Sequence, residues 1–153
     1  MKRIIFLLAT INLFFISDLG AIEKGKWIFV VDDNYCYIAS APTKEEGDYT
    51  QRGDTYVLVY RINKSPDKIV QVTAGYNYDE SKPVILRIDQ TTFDFFGKED
   101  SAWTSDKDKE VIFAMKKGIT LIVRGYSSRG TLTVDTYTLK GFTAAFNKLS
   151  KDC

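Results

Sequence analysis

Tyr56-Val57-Leu58-Val59-Tyr60-Arg61-Ile62, then Asn63-Lys64-Ser65-Pro66-Asp67, then Ile69-Val70-Gln71-Val72-Thr73-Ala74 after a single lysine: this stretch decides the fold class. Two runs rich in β-branched and aromatic residues flank a segment of strong turn formers. Two such runs joined by turn chemistry make an antiparallel hairpin. Working outward, the same grammar recurs. Upstream, residues 27–31 read as a buried-type strand ended by Asp32-Asp33-Asn34, and residues 35–39 as a second, stopped by Pro42. Residues 43–51 are polar and read as a loop, and Arg52-Gly53-Asp54 as a turn into the next strand. Downstream, Val84, Leu86 and Ile88 share one face at the strand period of two, and residues 92–96 follow an Asp89-Gln90 turn. Residues 119–126 and 132–137 form another hairpin about Ser127-Ser128-Arg129-Gly130.

Two helices break the pattern. Ser105 and Asp108 have the spacing of a capping box, Val111, Ile112 and Met115 give an apolar face that Phe113 borders, and Gly118 is a plausible stop. Lys116 and Lys117 suit the negative end of that helix. Leu139, Phe142, Phe146 and Leu149 recur at spacings of three, four and three, which predicts a short C-terminal helix. With no repeat or internal boundary, residues 22–153 read as one mainly β domain. The expected architecture is an antiparallel β-sandwich or small barrel with one inserted helix and a short C-terminal one.

The start of the chain reads as an address. Met1-Lys2-Arg3 is basic, and residues 4–16 form an apolar run too short for a spanning helix, which needs about 20 residues. Ser17-Asp18-Leu19-Gly20-Ala21 supplies small residues near a cleavage point, with Ala21 the last residue removed and Leu19 an imperfect −3 residue. Residues 1–21 are therefore expected to be a signal peptide. The mature domain is expected in the periplasm, secreted or at the cell surface, with no stable membrane insertion after cleavage. Export changes the reading of Cys36 and Cys153. An even count in an oxidising compartment suggests pairing, and two cysteines allow one intramolecular bridge. Two free thiols, or a Cys153 crosslinked to another chain, are the alternatives.

Composition narrows the chemistry. The chain is 44% hydrophobic and 14% aromatic, enough for a real core. It has no histidine, which removes the commonest general base and the commonest zinc or copper ligand. A Ser-His-Asp relay is thereby excluded. A Ser-Lys pair remains, without a supporting Ser-x-x-Lys context. Lys2, Arg3 and Asp18 leave with the leader, so the mature domain carries 19 basic and 19 acidic residues. Zero net charge gives no reason to expect a nucleic-acid partner. Asp106, Asp108 and Glu110 alternate like a calcium loop, but Val111 stands where that loop needs glycine. Charge at a helix start explains those acids better. No glycine-rich phosphate cradle is present, and neither a cofactor nor a metal site is expected.

The segments Cys36-Tyr37-Ile38-Ala39-Ser40-Ala41-Pro42-Thr43-Lys44, Arg52-Gly53-Asp54, Val72-Thr73-Ala74-Gly75-Tyr76 and Ala102-Trp103 occur in that order. Ala114-Met115-Lys116-Lys117-Gly118, Ser127-Ser128-Arg129-Gly130-Thr131, residues 137–145 and Cys153 follow. Taken together, the succession resembles the invasion-associated locus B family of exported bacterial proteins. It departs at Asp89-Gln90, where the family tends to Asp-Gly. The resemblance implies a β-sandwich-like exported domain and, in some members, a link with pathogen invasion of host cells. It supplies no catalytic residues.

Two motifs compete as sites. Arg52-Gly53-Asp54 is an integrin-recognition tripeptide, but glycine and aspartate before a strand are ordinary turn chemistry, and the structural reading is favoured. Ser127, Ser128 and Arg129 form the densest polar cluster between two strong strands and could hold an anion or a carbohydrate. The plainer reading is a hairpin loop in which Gly130 takes a positive φ. If a ligand or partner surface exists, Arg129 with Ser127 and Ser128 is its first candidate, and Trp103 a distant second. The expectation is a non-enzymatic envelope protein acting by contact with an unknown envelope or host protein, or by envelope support. The alternative is a periplasmic module for a small ligand or carbohydrate.

Overall fold

The computed structural model describes residues 21–62 and 65–153. The expected leader therefore lies outside the described residues except for Ala21, as do Asn63 and Lys64 of the first turn. Ten strands occur in chain order: β1 (Ile28–Val31), β2 (Tyr35–Ser40), β3 (Lys44–Gly47), β4 (Tyr56–Ile62), β5 (Ile69–Thr73), β6 (Pro83–Ile88), β7 (Thr91–Lys98), β8 (Ser101–Trp103), β9 (Thr120–Tyr126) and β10 (Leu132–Thr138). Helix α1 (Asp108–Lys117) lies between β8 and β9, and α2 (Phe142–Lys151) follows β10. All strands join one antiparallel sheet in the order β1-β2-β4-β5-β8-β7-β6-β9-β10-β3.

The strand order begins and ends on neighbouring pieces of chain. β2 pairs with β4, and after Pro42 the same run continues as β3 and pairs with β10. Proline has no N–H for the ladder, so the break falls there. The sheet curls into a half-barrel, not two packed sheets, which selects the barrel side of the expected architecture.

Sequence reading missed two strands. Lys44-Glu45-Glu46-Gly47 has little β-propensity but finds a ladder on β10, from Thr133↔Gly47 to Thr136↔Lys44. Ser101-Ala102-Trp103 is short, and it is held on both sides by β5 and β7.

The concave side holds the core. Ile38, Val57, Val59, Val70, Val72, Val84, Leu86, Phe95, Ala102 and Leu121 are buried at alternate positions of their strands. Each fully buried aliphatic or aromatic side chain contributes roughly 1.5–3 kcal/mol. The helices cover one mouth. Val111, Ile112 and Met115 of α1 are buried, and so are Phe142, Ala145, Phe146 and Leu149 of α2. Phe113 points away and is exposed. The Trp27 ring meets Phe142 edge-on at 4.9 Å, and its indole N–H donates to the Thr138 carbonyl at 2.9 Å. Cys36 of β2 and Cys153 beyond α2 are bonded across 117 positions, with Cα atoms 5.7 Å apart, so the pairing alternative is the one realised.

Local details depart from expectation at the ends of α1. Ser105 makes no cap: the helix begins at Asp108 with Lys107 as its N-cap, and the Lys107 N–H donates to Thr104 Oγ1 at 3.2 Å. Asp108 instead accepts the Val70 backbone N–H at 2.8 Å, tying the helix start to β5. Gly118 is extended, not left-handed, and the space rather than the dihedral demands glycine: a Cβ there would meet Ile88 Cγ2 at 2.6 Å. At the Asp89-Gln90 turn it is Asp89 that takes the left-handed conformation, φ 48°. Its carboxylate accepts the Ile119 and Thr120 N–H groups, each at 3.0 Å, which anchors the turn to β9.

Candidate functional site

Opposite the helices, the other mouth is filled by polar and aromatic side chains. On β10 the inward positions are Thr133, Asp135 and Tyr137, all buried. Burial of a carboxylate requires a partner, and Arg52 provides it. Its two terminal nitrogens donate to the two Asp135 oxygens at 2.7 and 2.6 Å, and its Nε donates to the Ala74 carbonyl at 2.7 Å. Both side chains are 3% exposed. Burial opposes the Arg52 charge, but the hydrogen bonds and attraction of Asp135 outweigh it and raise the guanidinium pKa. Burial also holds the Asp135 carboxyl above its ordinary value, against the pull of Arg52. The bidentate geometry keeps the pair ionised at neutral pH.

Aromatic rings enclose this pair. The guanidinium lies 5.3 Å from the Tyr49 ring centre and 5.1 Å from that of Tyr76. The Tyr76 hydroxyl shares a 2.7 Å hydrogen bond with Thr133. Tyr78 packs beneath, where a Cβ on Gly97 or Gly125 would come within 2.7 and 2.6 Å of its side chain. Burial pushes the Tyr78 and Tyr137 hydroxyls up, the latter well above the ordinary tyrosine value. Among the described residues, the Tyr137 hydroxyl has no hydrogen-bond partner.

Above the pair opens a polar cleft of about 740 Å³. Its walls are residues 48–53, residues 75–77 and the 127–131 loop with Thr133. The two motifs singled out in the sequence thus face one another. The close approach of Gly53 to Gly75 holds the first wall, with Gly53 N–H donating to the Gly75 carbonyl at 2.9 Å. Gly75 has φ +71°, and a Cβ on it would collide with the Gly53 carbonyl. In the second wall, Ser127 Oγ accepts the Arg129 and Thr131 N–H groups, and Ser128 N–H donates to the Asn77 carbonyl at 2.7 Å. Gly130 has the expected positive φ, +87°. Ser127 is committed to loop structure; Ser128 and Arg129 present their side chains to solvent. The burial of Arg52 supports the structural reading of Arg52-Gly53-Asp54, since a guanidinium locked on Asp135 is not displayed to a receptor.

Trp103 is elsewhere. It sits on the convex side of the sheet, opposite Gln71 on one neighbour and Phe96 on the other. The outward positions of β2 are Tyr35, Tyr37 and Ala39, and those of β4 are Tyr56, Leu58, Tyr60 and Ile62. Ile69 and Gln71 continue the surface on β5, with Ile28 and Val30 on β1 and Trp103 on β8, whereas Ala39, Thr73 and Ser101 on the same side are buried. None of these positions is charged. Tyr35 and Ile62 are exposed, and an apolar groove of about 560 Å³ runs between the tyrosines. Sequence reading missed this face, although the alternation Tyr56, Leu58, Tyr60, Ile62 carries it.

The family and the fold are both matched by known proteins. The family model described as "Invasion associated locus B (IalB) protein" matches residues 30–150. The chain belongs to the IalB family. The IalB match runs from β1 into α2 and so takes in both the cleft and the convex face. A solved structure, the crystal structure of invasion associated protein B from Bartonella henselae, aligns with a TM-score of 0.58 at 19% identity. The alignment covers 82% of this chain and 92% of that one. At that identity the likeness shows the shared fold. No curated protein matches the chain. Among the described residues of this IalB chain, no helix is long and apolar enough to cross a membrane.

Proposed function

We propose that this IalB protein is an exported, non-enzymatic protein of the bacterial envelope, periplasmic or at the cell surface, that works by contact with another protein. The observation that carries the reading is the uncharged convex face. Tyrosines and aliphatic side chains across five neighbouring strands form one continuous surface, and Tyr and Trp are the residues that interface cores favour. Monomeric proteins rarely leave so broad an apolar patch without a use.

Other features agree with that reading. The Cys36–Cys153 bond suits an oxidising compartment, as does the leader-like start of the sequence. A chain without histidine lacks the usual proton-transfer group. The serines of the cleft have no lysine beside them to act as base, since none lines it.

The test is photocrosslinking in intact cells from a probe placed at Tyr60, compared with a probe at exposed Lys151 and with Leu58→Arg in the same background. Crosslinks specific to Tyr60 that vanish with Leu58→Arg, while the protein is exported at normal level with its disulfide, are the expected result. Identical products from both probes, or products indifferent to Leu58→Arg, would remove the convex face as the contact. Recovery of the full-length protein from the cytosol with both thiols free would remove the envelope assignment as well.

A further inference from the structure

We propose that the polar cleft is a saccharide site that selects sugars bearing a carboxylate. The inference concerns a surface separate from the convex face and does not depend on the protein contact proposed above.

Three observations lead to it. The first is the floor. An ion pair buried to 3% exposure costs desolvation that a plain hairpin mouth does not require, and it leaves the floor rigid, with the Arg52 charge answered by Asp135 and by Glu45 at 3.8 Å and not available to a ligand. The second is the rim. The Gln51 and Asn77 amides and the Ser128 and Thr131 hydroxyls line the cleft and make no side-chain hydrogen bond with any described residue. An amide offers a donor and an acceptor side by side, which is what adjacent sugar hydroxyls need. Tyr49, with Arg52 against one side of its ring, is 36% exposed and adds ring surface at the same rim. The third is Arg129. Its guanidinium has no carboxylate partner among the described residues, and its loop is fixed through Ser127.

The charges decide the ligand class. A lone guanidinium binds a carboxylate through two parallel hydrogen bonds. A phosphate dianion gathers two charges on one group and would call for a second free cation, whereas Arg129 is the one cation of the cleft without a carboxylate partner among the described residues. A wholly neutral sugar would leave Arg129 without a role. A hexuronate unit satisfies the amides, the hydroxyls and the guanidinium together.

Titration of the disulfide-bonded protein with trigalacturonate, followed by calorimetry and by amide shifts, tests this against maltotriose and inorganic phosphate at equal ionic strength. Trigalacturonate is expected to bind with shifts centred on residues 127–131 and 75–77. Arg129→Ala is expected to weaken it at least about tenfold, Arg129→Lys to recover part of the loss, and Asn77→Ala to weaken it too. Arg129 lies in an exposed loop, so the melting temperature of Arg129→Ala should equal that of the parent, which separates ligand loss from unfolding. Maltotriose binding as tightly, phosphate producing the same shifts, indifference to Arg129→Ala, or no binding at about 10 mM would each overturn the proposal.

Discussion

Replacing Arg52 by methionine, and separately Asp135 by alanine, should destabilise the protein unequally. At an effective dielectric of about 20, opposite charges about 4 Å apart attract by roughly 4 kcal/mol. Cutting one member out of a buried pair costs about 3–5 kcal/mol, because the survivor is left charged without a partner. The surroundings of the two survivors differ. In Asp135→Ala, Arg52 keeps the Ala74 carbonyl and has Glu45 3.8 Å away, with that carboxylate partly in solvent. In Arg52→Met, Asp135 loses the one cation that pairs with it among the described residues. Asp135→Ala should therefore cost about 2–3 kcal/mol and Arg52→Met about 3–5 kcal/mol. The double variant Arg52→Met/Asp135→Ala should cost less than the sum of the two single losses, since no charge stays behind. Guanidinium unfolding with the disulfide intact measures all four states.

A pH series adds a sign. Burial already holds the Asp135 carboxyl up while Arg52 pulls it down, so removing Arg52 leaves burial and the Glu45 charge to raise it unopposed. An acid with a raised folded pKa loses stability as pH rises through its unfolded value towards its folded one. The Arg52→Met deficit should therefore shrink as pH falls from 8 towards 5. Equal and additive losses under about 1 kcal/mol, or a deficit that grows on acidification, would refute the reasoning.

The remaining expectations concern the bridge and the tyrosines. Reduction, or Cys153→Ser, frees a loop of 117 positions, and stability should fall by about 2–4 kcal/mol, with about 5 as the chain-entropy ceiling; non-reducing intact mass two hydrogens below the thiol form confirms the bridge first. Tyr78 and Tyr137 are buried with raised hydroxyl pKa values, so above pH of about 10 the unfolded chain sheds protons that the folded one keeps. Stability should then fall by about 1.4 kcal/mol per pH unit for each, roughly 2.7 together, and an ultraviolet titration should show these two phenols ionising only with unfolding. Reversible titration of all nine tyrosines near 10 in folded protein would contradict their placement.

How much of this could be read in advance follows from where the information sits. The hairpin of β4 and β5 was legible because its residues and its turn agree. β3 was not, because Lys44-Glu45-Glu46-Gly47 pairs only by virtue of lying beside β10 after Pro42. On β10 the alternation misleads: Leu132 and Val134 look like the core face, yet Thr133, Asp135 and Tyr137 turn inward. Register with β9 decides this, placing Asp135 against Val123 and Tyr137 against Leu121. Tyr137 in step with Asp135 was the available hint that the carboxylate faced inward. Nothing local pointed to Arg52 as its partner, 83 positions away. The cleft was half legible, since the 127–131 loop and Arg52-Gly53-Asp54 were each singled out, but nothing in the sequence showed that they face one another. Trp103 was a distant second candidate for the same ligand surface, but strand parity set it on the other side of the sheet.

The way the strand order returns to its own beginning has a consequence for synthesis. β3 waits for β10, Arg52 for Asp135, Trp27 for Thr138 and Cys36 for Cys153. A chain delivered from its first residue onward must therefore hold its early strands unmated until nearly everything else has arrived. Such long-range contacts slow folding. Shortening the chain by a few turns at its far end should cripple the start as surely as the finish.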